Sequence, residues 1–185
     1  MPSWAVLSAA CAPVLLIGGW QLAASRQPNG FDPIHQTISA LAARGATDRW
    51  IMTAALAGVG VCHMITAAGL RPAAGAGRML LVTGGAATVL LAAVPQPVTG
   101  DSPAHVATAA VVLPALSLWP AVAWRRGVAP GRAAWLGAAS GLLALLGWFG
   151  LELLGDGSRV GLSERVLTGA QAFWPLAATL LARRR

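Results

Sequence analysis

The chain has 185 residues, of which 56% are hydrophobic and 10% charged, and its net charge is +7. Soluble domains of this size carry about 25% charged residues, so a water-soluble core is excluded and lipid is the expected solvent. No polar stretch is long enough to build a separate soluble domain, which leaves one transmembrane domain over 1–185.

A lipid-spanning helix needs about 20 predominantly apolar residues. Such runs recur at 4–24, 50–70, 79–94, 104–124, 133–154 and 166–182. The expected fold is therefore all-α, an integral membrane bundle of six transmembrane helices, with five spans as the alternative. The first run has no positive segment before it and exceeds a usual signal-peptide core, so it is expected to be a retained helix. The third is short, and Arg78 at its edge would have to snorkel.

Between the first two runs, Asp32-Pro33 has the form of a helix start, an Asp cap with Pro in the first helical position. Ile34, Ile38 and Leu41 then recur at helical spacing, which predicts a short amphipathic surface helix over 33–44. Pro13, Pro114, Pro120 and Pro175 fall within spans and are expected to bend them. Gly137 and Gly141 form a small-xxx-small pair in the fifth span. Trp4, Trp20, Trp50, Trp124, Trp135 and Trp148 lie near span ends, as an interfacial aromatic belt requires, while Trp119 and Trp174 sit deeper.

Every basic side chain is an arginine, singly or in small groups at the ends of apolar runs. That placement suits lipid head groups and short loops and argues against nucleic acid as a partner. With the amino terminus cytoplasmic, the inside holds Arg71, Arg78, Arg125, Arg126, Arg132 and Arg183 to Arg185. The outside holds the fewer Arg26, Arg44, Arg49, Arg159 and Arg165. A multi-pass protein of the cell membrane with both termini cytoplasmic is expected.

That topology puts Asp32, Asp48, Asp101, Asp156 and Glu164 in or beside outer loops, Glu152 at the outer end of the fifth span, and no acid on the inner face. His35 and His105 are outside as well. Acid-base side chains thus gather on one face, although acids tolerated outside while Arg is retained inside give the same pattern. Asp32-Pro33-Ile34-His35 and Ser102-Pro103-Ala104-His105 share the form cap-Pro-x-His. A His in the first turn of a helix meets the positive end of the dipole, which favours the neutral ring. Each motif equally serves as a plain helix start.

Asp32-Pro33 with Thr37-Ile38-Ser39-Ala40-Leu41, His105 opening the fourth span, and Gly161-Leu162-Ser163-Glu164-Arg165 opening the last together resemble the signature of an uncharacterised family of bacterial and archaeal membrane proteins. It is the domain of unknown function nine-nine-eight. The resemblance covers nearly the whole chain and implies six helices. It singles out Asp32, Ser39, His105, Glu164 and Arg165, and it supplies no activity.

The candidate polar site is accordingly Asp32, His35, Ser39, His105, Glu164 and Arg165, with no catalytic role assigned. Glu164 and Arg165 are adjacent, about 100° apart on a helix, so one is expected to face the bundle and the other head-group phosphates. Cys11, Cys62 and His63 lie inside spans without ligand spacing and read as packing residues. No metal, no cofactor motif, phosphate loop or nucleophile elbow is indicated. Three functions stay open. One is a protein whose outer polar pocket binds a membrane lipid head group or another membrane helix. The second is an interfacial lipid-modifying enzyme using outer-face Asp, His and Glu. The third, a transporter, is disfavoured by spans whose middles lack carboxylates and cations.

Overall fold

A computed structural model describes all residues except Thr99, Asp101, Arg184 and Arg185, so the expected placements of Asp101 and the last two arginines lie outside it. Among the described residues the fold is all-helical: α1 (Ser3–Ser25), α2 (Ile38–Leu41), α3 (Trp50–Gly69), α4 (Gly75–Ala93), α5 (Pro103–Leu118), a 3-10 turn (Trp119–Val122), α6 (Arg132–Leu154) and α7 (Val160–Arg183). Five of these, counting α5 with its 3-10 turn, are long and apolar enough to cross a membrane; α7 is as long but more polar.

The six long helices form a ring. Each packs on the next in chain order, α7 closes on α1, and the seam between α5 and α6 is the loosest. Their outward faces are apolar, with Leu7, Val14, Ile65, Leu90, Val111 and Leu151 among many exposed large side chains. A periphery of that kind is stable only against lipid. Two apolar cores fill the ends of the ring. One joins Leu16, Ile38, Leu41, Met52 and Val59; the other joins Leu70, Leu81, Leu116, Trp119 and Trp135.

Glycine sets a close crossing of α3 and α4. A Cβ on Gly85 would stand 2.7 Å from the Gly60 carbonyl oxygen, and one on Gly60 would overlap the Gly85 carbonyl in turn. Backbones touch there because neither residue has a side chain. The expected Gly137–Gly141 pair is different, with nothing within 4 Å of either position. Spacing alone did not distinguish a packed glycine pair from a lipid-facing one.

Further expectations change. The short third run belongs to a 19-residue helix that begins at Gly75. Arg78 does not snorkel; its guanidinium donates to the carbonyls of Ala67 at 2.7 Å and Ala68 at 3.2 Å. It thereby satisfies the open end of α3. Trp135 is not part of an interfacial belt. It is buried in an edge-to-face stack with Trp119 and Trp174, centroids 5.4 and 5.8 Å apart. Pro120 ends α5 as a regular helix and turns the chain into the 3-10 segment.

The surface helix expected over 33–44 is instead a turn followed by the four residues of α2. Thr37 is extended, at ψ 159°, and its hydroxyl caps α2 by accepting from Ala40 N–H at 3.3 Å. Ile38 and Leu41 are buried whereas Ile34 is 45% exposed, so the apolar stripe is broken between 34 and 38. The reason lies in α7, which claims the backbone groups that a continuous helix would pair internally.

Candidate functional site

The start of α7 grips the segment from Asp32 to Ser39. Glu164 is 8% exposed, and its carboxylate accepts from the Ile38 backbone N–H and, at 3.5 Å, from the Ser39 hydroxyl. The neighbouring Arg165 sends one guanidinium nitrogen to the carbonyls of Pro33 at 3.0 Å, Gln36 at 2.7 Å and Gly161 at 2.9 Å. Its charge lies over the rings of Phe31 and Trp20, 5.2 and 5.8 Å from their centroids. Leu162 N–H donates to Ile34 O at 3.1 Å, and Gly161 must lack a Cβ because one would strike the Gln36 carbonyl. Adjacent charges thus divide the work as the helix geometry requires: the acid takes N–H and O–H groups, the base takes carbonyls. Arg165 is engaged by the loop rather than left for head-group phosphates.

Asp32 and His35 stand apart. The Asp32 carboxylate accepts from Ile34 N–H at 2.8 Å and His35 N–H at 3.3 Å, and it pairs with His35 Nδ1 at 2.7 Å. Gln36 closes the turn by accepting from Asp32 N–H at 2.8 Å. Both side chains of the pair are more than half exposed. The His35 contact and the turn N–H groups hold the Asp32 carboxyl below the usual aspartate range. The pair ties the turn and does not reach the interior.

Behind the gripped segment is a cavity of about 390 Å³ among α3, α4, α5, α6 and α7. Ser39, Glu164 and His105 line it, so three of the six candidates share one space while Asp32, His35 and Arg165 do not. The second cap-Pro-x-His motif forms as expected: Ser102 Oγ accepts from His105 N–H at 3.2 Å, with Pro103 opening α5. The His105 ring is buried, and Nδ1 donates to the Val94 carbonyl at 2.9 Å. A carbonyl only accepts, so Nδ1 carries a proton, and in the neutral ring Nε2 is the acceptor. The same short motif gives an exposed His in one loop and an interior one in the other.

Away from this polar end the walls are mostly apolar, including Leu16, Leu56, Val59, Leu113, Leu146 and Phe149. Two further polar side chains line the cavity, His63, which reads from sequence as a packing residue, and Gln171, to which the sequence reading assigns no role. His63 is 1% exposed and its Nδ1 has no hydrogen-bond partner. Gln171 donates to Leu113 O at 2.9 Å and to Ser117 Oγ at 2.9 Å. An amide in mid-span is itself a signal, because lipid does not tolerate it without an interior partner. The cavity reaches the loose α5–α6 seam, where its lining residues Val106 and Leu153 are 57% and 58% exposed. Among the described residues no group of three or more His, Cys, Asp or Glu can hold a metal ion.

A family model described as "Protein of unknown function (DUF998)" matches residues 9–181. No curated protein and no solved structure matches the chain.

Proposed function

The chain belongs to the DUF998 family of membrane proteins of unknown function, and we propose from its geometry that it binds one apolar-tailed membrane molecule inside its helical ring. The observation that carries this reading is the cavity: apolar walls, a buried carboxylate and imidazole at one end, and a side reaching the α5–α6 seam. Its volume of about 390 Å³ is at the lower end of small-molecule sites, which run from about 300 to 1,000 Å³. A single chain with a small polar end fits that space better than a two-chain phospholipid.

In this reading α7 is the sixth crossing. Its buried face carries Ser163, Glu164, Gln171 and Thr179, while Val166, Phe173 and Leu180 point outward. That arrangement puts polar groups against the bundle and apolar ones against lipid, as a span bordering an interior site requires. The acids then sit at one membrane face, and the arginine balance makes that face extracytoplasmic, with both termini inside the cell.

The test is extraction of protein purified in a mild detergent, with mass spectrometry of what accompanies it. A molecule near one per chain is expected, and it should be lost from Ala109→Trp, which fills the cavity from α5. A lipid profile identical in the two proteins refutes the reading. A second reading, an interfacial lipid-modifying enzyme, rests on Glu164 and His105 Nε2 facing one space. It differs in predicting that the bound molecule changes chemically over time and that Glu164→Gln stops the change while retaining the molecule.

A further inference from the structure

We infer that the polar end of the bound molecule is a hydrogen-bond donor without negative charge, a hydroxyl or an amine, and that phosphate head groups are rejected; this rests on the binding reading above.

The inference comes from which groups along the cavity remain free. Three of the four lining hydroxyls have spent their protons: Thr88 on Gly84 O at 2.7 Å, Thr168 on Glu164 O at 2.8 Å, and Ser39 on the Glu164 carboxylate; the fourth, Thr37, accepts from Ala40 N–H and keeps its own proton. Both bonds of the Gln171 amide nitrogen go to α5. His105 has committed its Nδ1–H to Val94, and the neutral ring keeps only an acceptor. The Glu164 carboxylate has two oxygens and about four lone-pair sites, and its two partners leave capacity to accept more. His63 and the half-buried Gln96 can each both donate and accept. The free groups are therefore weighted toward acceptors.

Charge points the same way. Among the described residues no arginine lines the cavity. Arg165, one residue from Glu164, is turned outward onto the Pro33, Gln36 and Gly161 carbonyls and the Trp20 and Phe31 rings. A phosphate inside would bring its charge into a mostly apolar space with no arginine to offset it, and an unpaired desolvated anion is costly. A hydroxyl or ammonium placed there donates to Glu164 and His105 while its chain follows the apolar walls toward α5 and α6.

The experiment uses the full chain in phosphatidylcholine nanodiscs, equilibrated at equal mole fractions with dodecanol, dodecylamine or dodecyl phosphate and read by native mass spectrometry. Dodecanol and dodecylamine should bind at least about tenfold more tightly than dodecyl phosphate, a free-energy gap that one unfavourable charge contact readily supplies. Ala109→Trp should remove binding of both. Glu164→Gln, whose side-chain oxygen still accepts from Ile38 N–H, should narrow the preference over phosphate; its tryptic pattern checks that it folds. Dodecyl phosphate bound as tightly as the alcohol, and displaced by Ala109→Trp, overturns this inference and leaves the binding reading intact. Binding of no probe, or binding untouched by Ala109→Trp, overturns the binding reading itself.

Discussion

Replacing Arg165 by Met removes the cation that holds the Asp32–Ser39 segment while keeping an unbranched apolar stem. Three carbonyls lie within 3.0 Å of one guanidinium nitrogen, but that nitrogen has two protons, so the loss amounts to two charge-assisted bonds. Such bonds contribute about 1.5–3 kcal/mol each, and the Pro33 and Gln36 carbonyls regain water in the variant, so about 2 kcal/mol is the expected cost. The ring contacts with Phe31 and Trp20, about 0.5 kcal/mol each at a partly exposed site, are offset by the Met side chain packing on the same rings, so the total stays near about 2 kcal/mol. Two kcal/mol raises the population of an opened segment by about thirtyfold. Arg44 is exposed on the same loop and is a tryptic site, while Arg126 lies in the loop at the opposite end of the bundle. Cleavage after Arg44 should therefore accelerate by about thirtyfold in Arg165→Met with cleavage after Arg126 unchanged, provided opening is fast relative to cutting. Equal rates at Arg44 in the two proteins would show that the α7 clamp does not hold the loop.

Four other outcomes follow from the same contacts. Ile38→Asp puts a second carboxylate beside the buried Glu164 and should cost about 3 kcal/mol or more, read as a lowered melting temperature in detergent. Gly60→Ala should destabilise by about 1–3 kcal/mol through overlap with the Gly85 carbonyl, whereas Gly137→Ala, with open space around it, should stay within about 1 kcal/mol of the parent. Because the Asp32 carboxyl is held below its usual range, its contribution to the turn is present above that range and fades as the pH falls through the lowered value. Exchange of the Ile34 and His35 amides, corrected for intrinsic rates, should rise on acidification in the parent and be pH-independent in Asp32→Asn. In a background lacking Cys11 and Cys62, Val98→Cys should react with an impermeant thiol reagent on intact cells and Arg126→Cys should not; these sites avoid Gly100 and Gly127, whose φ of 77° and 75° a cysteine would strain.

Helix type and placement were legible because lipid imposes one crude requirement, a long apolar run, and α1, α3 and α6 lie within a residue or two of the expected spans. The Ser102 cap was legible for a local reason: cap, Pro and helix are consecutive, and nothing else competes for His105 N–H. The parallel Asp32 motif misled because the backbone after it is taken by residues more than a hundred positions away, Glu164 and Arg165, which no local pattern shows. The resemblance named Ser39 and Glu164 together, and the structure gives their connection a physical form, a hydroxyl and an N–H meeting a buried carboxylate. Asp32, drawn from the same resemblance, pairs with His35 at the surface. Trp135 and the Gly60–Gly85 crossing depend on which face of a helix meets its neighbour, and runs apolar all round carry no signal of that. His63 reads from sequence as a packing residue and Gln171 passes unremarked, because uncharged polar residues within a span look like tolerated substitutions until a cavity is seen beside them.

The central claim is that a molecule from the membrane occupies the space between Glu164 and the α5–α6 seam. An experimental density map of the full chain in nanodiscs tests it most directly. Elongated density running from beside Glu164 and His105 along Leu113 and Phe149 toward Leu153 is the predicted result. A cavity closed by repacked side chains, with α5 and α6 drawn together and no density between them, would contradict it.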